Sequence, residues 1–269
     1  MGLASGFDAW IVTVGNELLI GRVVNTNLAW LGARLTLLGY KVRGCLVVPD
    51  ILDDIAWAFK TAVRRGARVI ISSGGLGPTF DDKTAEGLAK AFNLSLVLNE
   101  EALKLVKEKY EERGLTLTEP RVKMAMLPEG SSPIPNPVGT APGVKLRYGR
   151  TLIFLLPGVP TEMKAMFLRY VEPQLKRIGP KMFFVERSIR VLGLPESEVA
   201  PIIERVLKIS NNIYIKSHPK GSELGEPILE LHITASGESR GSLEELVEKA
   251  MNLLLELLSK KAAEIETLE

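Results

Sequence analysis

The sequence predicts an α/β protein: a three-layer α/β/α unit on a mostly parallel sheet, joined to a second, smaller α+β domain. Three observations predict it. Before residue 93, a short apolar run is followed by a helical periodicity three times in succession, the order that builds a parallel sheet with helices on both faces. Glycine or proline follows each of those runs closely, as at Gly15, Pro49 and Gly74. After about residue 178 the pattern becomes β-α-β-β-α, most of a ferredoxin-like split unit.

Each element has its own reason. Ala9 to Val14 is an apolar run that reads as a buried strand ending at Gly15. Leu28, Leu31, Leu35 and Leu38 have helical spacing over Asn27 to Leu38, and Gly39 supplies the stop. Lys41 to Val48 is the next strand, ended by Pro49 and Asp50. Asp53 or Asp54 opens a helix through Trp57, Phe59 and Val63, which Gly66 ends. Arg68 to Ser72 is a third strand that runs into Gly74–Asp82, and a helix follows from near Lys83 to about Phe92.

Parallel strands put their following loops on one sheet edge, where ligands collect. The loops Gly15–Asn27, Pro49–Asp54 and Gly74–Asp82 are therefore expected to converge. Glu100 to Arg113 reads as a helix with a charged face, and Arg121 to Met126 as a helical continuation. Pro133 to Gly143 holds too much proline and glycine for a helix or a central strand. A strand at Thr151 to Leu156 and a helix from Thr161 to about Leu175 continue the first domain beyond it, so the segment reads as a folded functional loop rather than a linker. The domains are expected at 1–178 and 179–269. In the second, strands are expected at 183–191, 212–217 and 228–234, and helices at 196–209 and 241–264, with a hairpin loop at Lys220–Gly225. It has few motif-like residues, which points to a structural or interface role.

Composition narrows the function. With 34 basic and 32 acidic side chains the formal net charge is +2, so no large cationic field suggests nucleic acid. The single cysteine, Cys45, excludes a disulfide framework within the chain and a cysteine-based zinc site. It lies in the apolar run Val42–Val48 and reads as a buried small hydrophobe. His218 and His232 lie far from the main motifs, so a histidine-rich metal site is not expected. Trp10, Trp30 and Trp57 read as core packing rather than base stacking. No stretch is long and apolar enough to span a bilayer, the first residues read as a loose tail without a secretory signal, and the cytoplasm is the default location. Many Lys and Glu residues are compatible with a thermophilic source.

Gly74 to Asp82 is the strongest chemical signal. Gly74, Gly75 and Gly77 let the backbone approach a ligand, and the loop N–H groups with the following helix start favour phosphate. Pro78 shapes the loop and Thr79 adds a hydroxyl donor. Asp81 and Asp82 repel a bare phosphate, so they call for a divalent cation between carboxylate and phosphate, or for a carboxylate that orients a water. The bland reading makes the glycines a turn and one Asp a helix cap; it is expected of one of the two. The loop matches neither a Walker sequence nor a dinucleotide fingerprint.

Other loops add candidates. Gly15 and Glu17 follow the first strand, and Glu17 can face the same crevice. Asn25-Thr26-Asn27 offers amide and hydroxyl groups, although plain capping suits Thr26 or Asn27. Asp50 is a second metal-oriented or ligand-binding carboxylate, or equally a loop Asp near a helix start. Asn136, Gly139, Thr140, Ala141 and Gly143 can pack over a ligand on a loop stiffened by proline. Gly158 offers a second close backbone approach. Glu162 can assist a cation, but a first-turn glutamate favoured by the helix dipole is the stronger reading.

Together these motifs closely resemble the CinA-type competence/damage-inducible proteins, in the part that looks like a molybdopterin-binding domain of the MoaB/MogA kind. The likeness is strong from Ala9 to about Tyr170. It rests on Gly15–Gly21, Asn25–Asn27, Gly74–Asp82, Pro135–Gly143 and Leu156–Met163, and continues through Gly193–Ser197 and Ile233–Ala235. Members more often carry Asp or Glu at the position of Asn16 and Asp at that of Asn25. Longer relatives add an amidase-like domain that this chain stops before, so deamidation is not expected.

The resemblance implies a molybdopterin-binding-like fold and a homo-oligomer. It implies a Mg2+-dependent, or other divalent-metal-dependent, pyrophosphatase acting on ADP-ribose. The alternatives are molybdopterin binding or molybdenum cofactor biosynthesis, with a pterin phosphate as ligand, and a non-catalytic regulatory role. Asp50 and Asp82 match acidic positions important in the molybdopterin enzymes, and Asp81 is the extra acid of the CinA pattern. The expected catalytic set is Asp82, Asp81, Asp50 and Glu17, with Asp81, Asp82 and Glu17 toward the metal. Phosphate and ligand contacts are expected from Gly15, Asn27, Gly74, Gly75, Gly77, Pro78, Thr79, Asn136, Gly139, Thr140, Gly143 and Gly158.

Overall fold

A computed structural model describes residues 7–221, 227–261 and 264–268. The chain splits into two compact units, and the main change of unit falls between Pro180 and Lys181. The expected N-terminal tail and most of the expected loop at Lys220–Gly225 lie outside the described residues.

The first unit opens with three β-α steps: β1 (Asp8–Val14), a short α1 (Asn16–Leu19) and α2 (Thr26–Leu37); β2 (Lys41–Val48) and α3 (Leu52–Arg64); β3 (Val69–Ser73) and α4 (Thr84–Phe92). Then come β4 (Leu96–Leu98), α5 (Glu100–Glu111), α6 (Glu119–Lys123), β5 (Met126–Pro128), β6 (Ser132–Ile134), β7 (Gly143–Tyr148) and β8 (Thr151–Leu156). The unit closes with α7 (Pro160–Met166), a π-turn at Phe167–Val171, and α8 (Glu172–Ile178).

The main sheet has the order β2-β1-β3-β8-β7-β6. The pairs β1–β2, β1–β3 and β3–β8 are parallel, whereas β7–β8 and β6–β7 are antiparallel. The two central strands, β3 and β8, are buried at every position. Helices cover both of their faces, which explains why Val69–Ile71 and Leu152–Leu156 are continuous apolar runs rather than alternating ones. On one side Val12, Ile70 and Leu155 pack with Ile55, Phe59 and Leu88.

Edge position overturns one expectation. Cys45 is exposed, not a buried small hydrophobe, because β2 is the outermost strand and Arg43 and Cys45 share its uncovered side. Trp57 also departs from core packing: it is 50% exposed on the outer side of α3. Trp10 lies flat over Gly44, where a Cβ would come within 2.6 Å of its ring. Trp30 meets Phe167 edge-on at 5.3 Å.

Several segments differ from their sequence-based expectation. The helix expected over Arg121–Met126 ends at Lys123, and Met126 begins β5, which pairs with β4. The proline-rich segment lies between two antiparallel strands, the edge strand β6 and its inner neighbour β7, with Val144 and Leu146 turned into the core. The helix expected at Thr161–Leu175 runs from Pro160 to Ile178. Its π-turn, in which the Glu172 N–H reaches back to the Phe167 carbonyl, precedes Pro173, which has no N–H to continue the α pattern.

On the same helix Glu172 is 4% exposed. It accepts two hydrogen bonds from Arg34, at 2.7 and 3.0 Å, and pairs with Lys176 at 2.7 Å. Burial pushes the Glu172 carboxyl up, but its bonds and charge pairing with Arg34 and Lys176 outweigh that and hold it below the usual range.

The second unit comprises β9 (Phe183–Leu192), α9 (Glu196–Leu207), β10 (Ile213–Pro219), β11 (Ile228–Gly237), α10 (Arg240–Ser259) and β12 (Glu264–Leu268). Its sheet order is β10-β11-β9-β12, antiparallel throughout. Residue 264, the expected end of the last helix, is therefore in a strand, and that strand completes the ferredoxin-like β-α-β-β-α-β pattern. Ile265 packs on the unit's core and Glu266 pairs outward with Arg190.

Candidate functional site

The ends of β1, β2, β3 and β8 deliver four loops to one edge of the main sheet, and a fifth arrives between β6 and β7. They surround a cleft of about 410 Å3. Gly15, Glu17, Asp50, Gly74, Gly75, Gly77, Pro78, Thr79, Asp81, Asp82, Thr140 and Gly158 all line it.

Gly74 starts the turn at a φ of 106°, and a Cβ there would strike the Val14 carbonyl oxygen of β1. Only glycine allows the two strand ends to come so close. The Thr84 hydroxyl donates to the Gly74 carbonyl at 2.8 Å, and the Thr84 N–H donates to Gly75 O at 3.0 Å. These bonds fix the loop to the start of α4. The N–H groups of Gly75, Leu76 and Gly77 find no main-chain acceptor among the described residues, which leaves consecutive donors at the cleft.

Next along the loop, the Thr79 N–H donates to Asp82 Oδ2 at 2.9 Å. The Thr79 hydroxyl oxygen lies 2.5 Å from both Asp81 Oδ1 and Asp82 Oδ2. A hydroxyl carries one proton, so at any moment one of those carboxylates faces a lone pair. The Lys123 ammonium donates to the Thr79 carbonyl. Hydrogen bonding from Thr79 holds Asp81 below the usual carboxylate range, helped by the charges of Lys123 and Lys83.

Asp50 Oδ2 accepts the Asn16 N–H at 2.9 Å, tying the β2 loop to the β1 loop. Burial pushes the Asp50 carboxyl up; the Asn16 bond opposes this, while Glu17, Asp81 and Asp82 add to it. Glu17 folds back over Gly15, where a Cβ would run into its carboxylate. Glu162, in the first turn of α7, adds a fifth carboxylate to the lining. The cleft is thus markedly acidic. Among the described residues, no three His, Cys, Asp or Glu side chains form a ready-made metal cluster.

Four of the expected ligand residues do not line this cleft. Asn27 is buried beside it, donating to Ser73 Oγ and to Gly158 O, both at 2.8 Å, so that it holds the β3 and β8 loops together. Asn136 donates to Ala141 O at 2.9 Å and to Glu162 Oε2 at 2.7 Å, and accepts from the Val138 and Gly139 N–H groups. It braces the proline-rich loop from within. A Cβ on Gly139 would collide with the Glu162 carboxylate. Gly143 belongs to β7, where a Cβ would sit 2.6 Å from Leu155 O. Lys123 escaped the sequence reading because a lone lysine in a charged stretch gives no signal. Glu162 had one, its place just after Pro157-Gly158.

No helix among the described residues is long and apolar enough to cross a membrane. The family model described as "probable molybdopterin binding domain" matches residues 10–177. Protein PAE0875 of Pyrobaculum aerophilum is 53% identical over 253 residues, covering 94% of this chain and 95% of that protein. A protein of Aeropyrum pernix is 50% identical over 246 residues, 91% of this chain and 90% of its own length. A crystal structure described as the protein CinA with unknown function, from Thermoplasma acidophilum, is 49% identical. It covers 62% of this chain and 98% of that one, with a TM-score of 0.59. The chain is a CinA-type member of the probable molybdopterin binding domain family.

Proposed function

We propose that the strand-end cleft binds a phosphate-bearing small molecule, and that a pterin phosphate of the molybdopterin class is its ligand. One observation carries the reading: the glycine turn, anchored by Thr84, presents consecutive N–H donors where four strand-end loops meet. The matched family's description supplies the ligand class. In this reading Gly75, Leu76 and Gly77 hold phosphate oxygens, and Asn27 and Asn136 keep the surrounding loops in place.

The acidic lining sets a condition on that binding. Asp81 and Asp82, with Thr79 between them, suit a Mg2+ ion that is completed by ligand phosphate, since Mg2+ is commonly held by one or two carboxylates plus phosphate. Bound there, it would supply charge neutralisation. Asp50 would keep the Asn16 N–H and position the carboxylate side of the cleft.

A second reading, hydrolysis of a pyrophosphate such as that of ADP-ribose, is favoured by the placement of Asp50, Asp81, Asp82 and Glu17 around one space. Asp50, whose carboxyl is raised by burial, is the group best suited to hold a proton there.

Titration of the purified protein with a pterin phosphate, with and without Mg2+, tests the first reading. Binding is expected with Mg2+ and is expected to weaken at least about 10-fold in Asp82→Asn, with unfolding unchanged. Absence of binding under both conditions sinks it. An ADP-ribose assay in parallel, in which AMP and ribose 5-phosphate appear with Mg2+ and are lost in Asp82→Asn, would favour the second reading.

A further inference from the structure

Beyond the acidic cleft, the other face of the glycine turn walls a separate cavity of about 290 Å3. The two spaces share Gly75, Leu76, Gly77 and Asp82. Their linings differ. The second is built from core side chains, with Met124, Leu127 and Val144 at 5%, 2% and 1% exposure, and from the half-buried Met126 and Leu96. Only Asp82, Glu86 and Lys123 bring charge to it. An apolar chamber with a few convergent polar groups is the usual form of a small-molecule site.

We infer that this cavity is a ring compartment: it takes the fused heteroaromatic ring of the ligand whose phosphate lies across the glycine turn. The inference rests on the phosphate reading of the cleft. Three features select a ring over an aliphatic chain. Thioether side chains make favourable contacts with aromatic systems, and Met124 and Met126 stand in this wall. Asp82 and Glu86 accept hydrogen bonds while Lys123 donates, which matches the amino groups and ring nitrogens of a heteroaromatic edge. Lys123, tied to the Thr79 carbonyl, is placed where the ring and phosphate compartments adjoin. The side-chain-free Gly77 is the threshold; a Cβ there would fall 2.6 Å from Asp82 Oδ2.

Two pairs of probes read the ring directly: AMP against ribose 5-phosphate, and neopterin phosphate against glycerol phosphate, each titrated with Mg2+ present. At least one ring-bearing probe is expected to bind 10-fold or more tightly than its ring-less counterpart. Met126→Trp, which fills the cavity, is expected to erase that advantage and leave the ring-less phosphate within about 2-fold of wild type. Met126→Leu, of similar volume, should keep it. Should Met126→Trp fail to fold, Leu96→Trp fills the same space from the paired strand β4.

The inference is overturned if neither ring probe outbinds its counterpart, or if the advantage survives a folded filling variant. Either result leaves the phosphate reading standing wherever the ring-less probes bind and Asp82→Asn weakens them. If no probe binds at all, both fall.

Discussion

Gly143→Ala separates a structural glycine from a ligand-binding one. Gly143 opens β7, and an added Cβ would lie 2.6 Å from the Leu155 carbonyl oxygen and 2.8 Å from the Met166 methyl. A relaxed carbon–oxygen contact is about 3.3 Å or longer, so β7 must move from β8 by roughly 0.7 Å. The methionine methyl can swing aside; the carbonyl oxygen, part of a buried strand, cannot. Overpacking of this kind is destabilising by about 1–3 kcal/mol. The reduced freedom of the unfolded chain returns about 0.4–1 kcal/mol, leaving a net loss of up to about 2.6 kcal/mol, with a midpoint of about 1.3 kcal/mol. Urea unfolding followed by tryptophan fluorescence measures it, and the expected signature is a lower midpoint at unchanged slope. Ligand titration of the folded variant should match wild type within about 2-fold. Unchanged stability together with lost binding would refute the reasoning and return Gly143 to the ligand.

Two further outcomes follow from the buried and raised carboxyl groups. Arg34→Ala leaves Glu172 buried with Lys176 alone and should be destabilising by about 2 kcal/mol at neutral pH, below the full range for an orphaned buried ion because Arg34 is itself partly exposed. Since the folded Glu172 carboxyl is held low, the pair's contribution is complete above the ordinary glutamate range and is lost as pH falls through the folded value. Unfolding curves of variant and wild type should therefore converge in acid, and a constant gap would contradict this. Asp50 has the opposite sign: its carboxyl is raised in the fold, so ionisation works against stability above that range. Asp50→Asn should be the more stable protein at neutral pH and lose that lead on acidification, and a variant less stable than wild type at pH 7 would count against it.

Much of this arrangement is legible in the sequence because local rules act in concert there. Three apolar runs, each followed by a turn and then a helix, dictate a parallel sheet, and the sheet dictates convergent loops. What stayed hidden depends on tertiary context. The β7 sequence, Val144-Lys145-Leu146-Arg147, does alternate, but a proline-rich approach masks it. Three-residue strands such as β4 carry too little pattern to be read at all. Edge position, which exposes Cys45, depends on strand order and not on its apolar neighbours. Asn136 and Gly143 show the same limit at the site: composition marks the proline-rich loop as special, yet which side of a loop faces a ligand is decided by its partners, here Glu162 and Leu155.

Trp10, Trp30 and Trp57, the three tryptophans of the chain, all stand before Pro180. Tryptophan emission therefore originates in the first unit, whereas far-ultraviolet circular dichroism sums over both. Within the first unit the indoles are graded: Trp10 pressed on Gly44, Trp30 against Phe167, Trp57 half in water. A melt followed at both wavelengths thus carries a built-in comparison. Coincident curves mean that the two units unfold as one cooperative system, and separated curves resolve the second unit without a label.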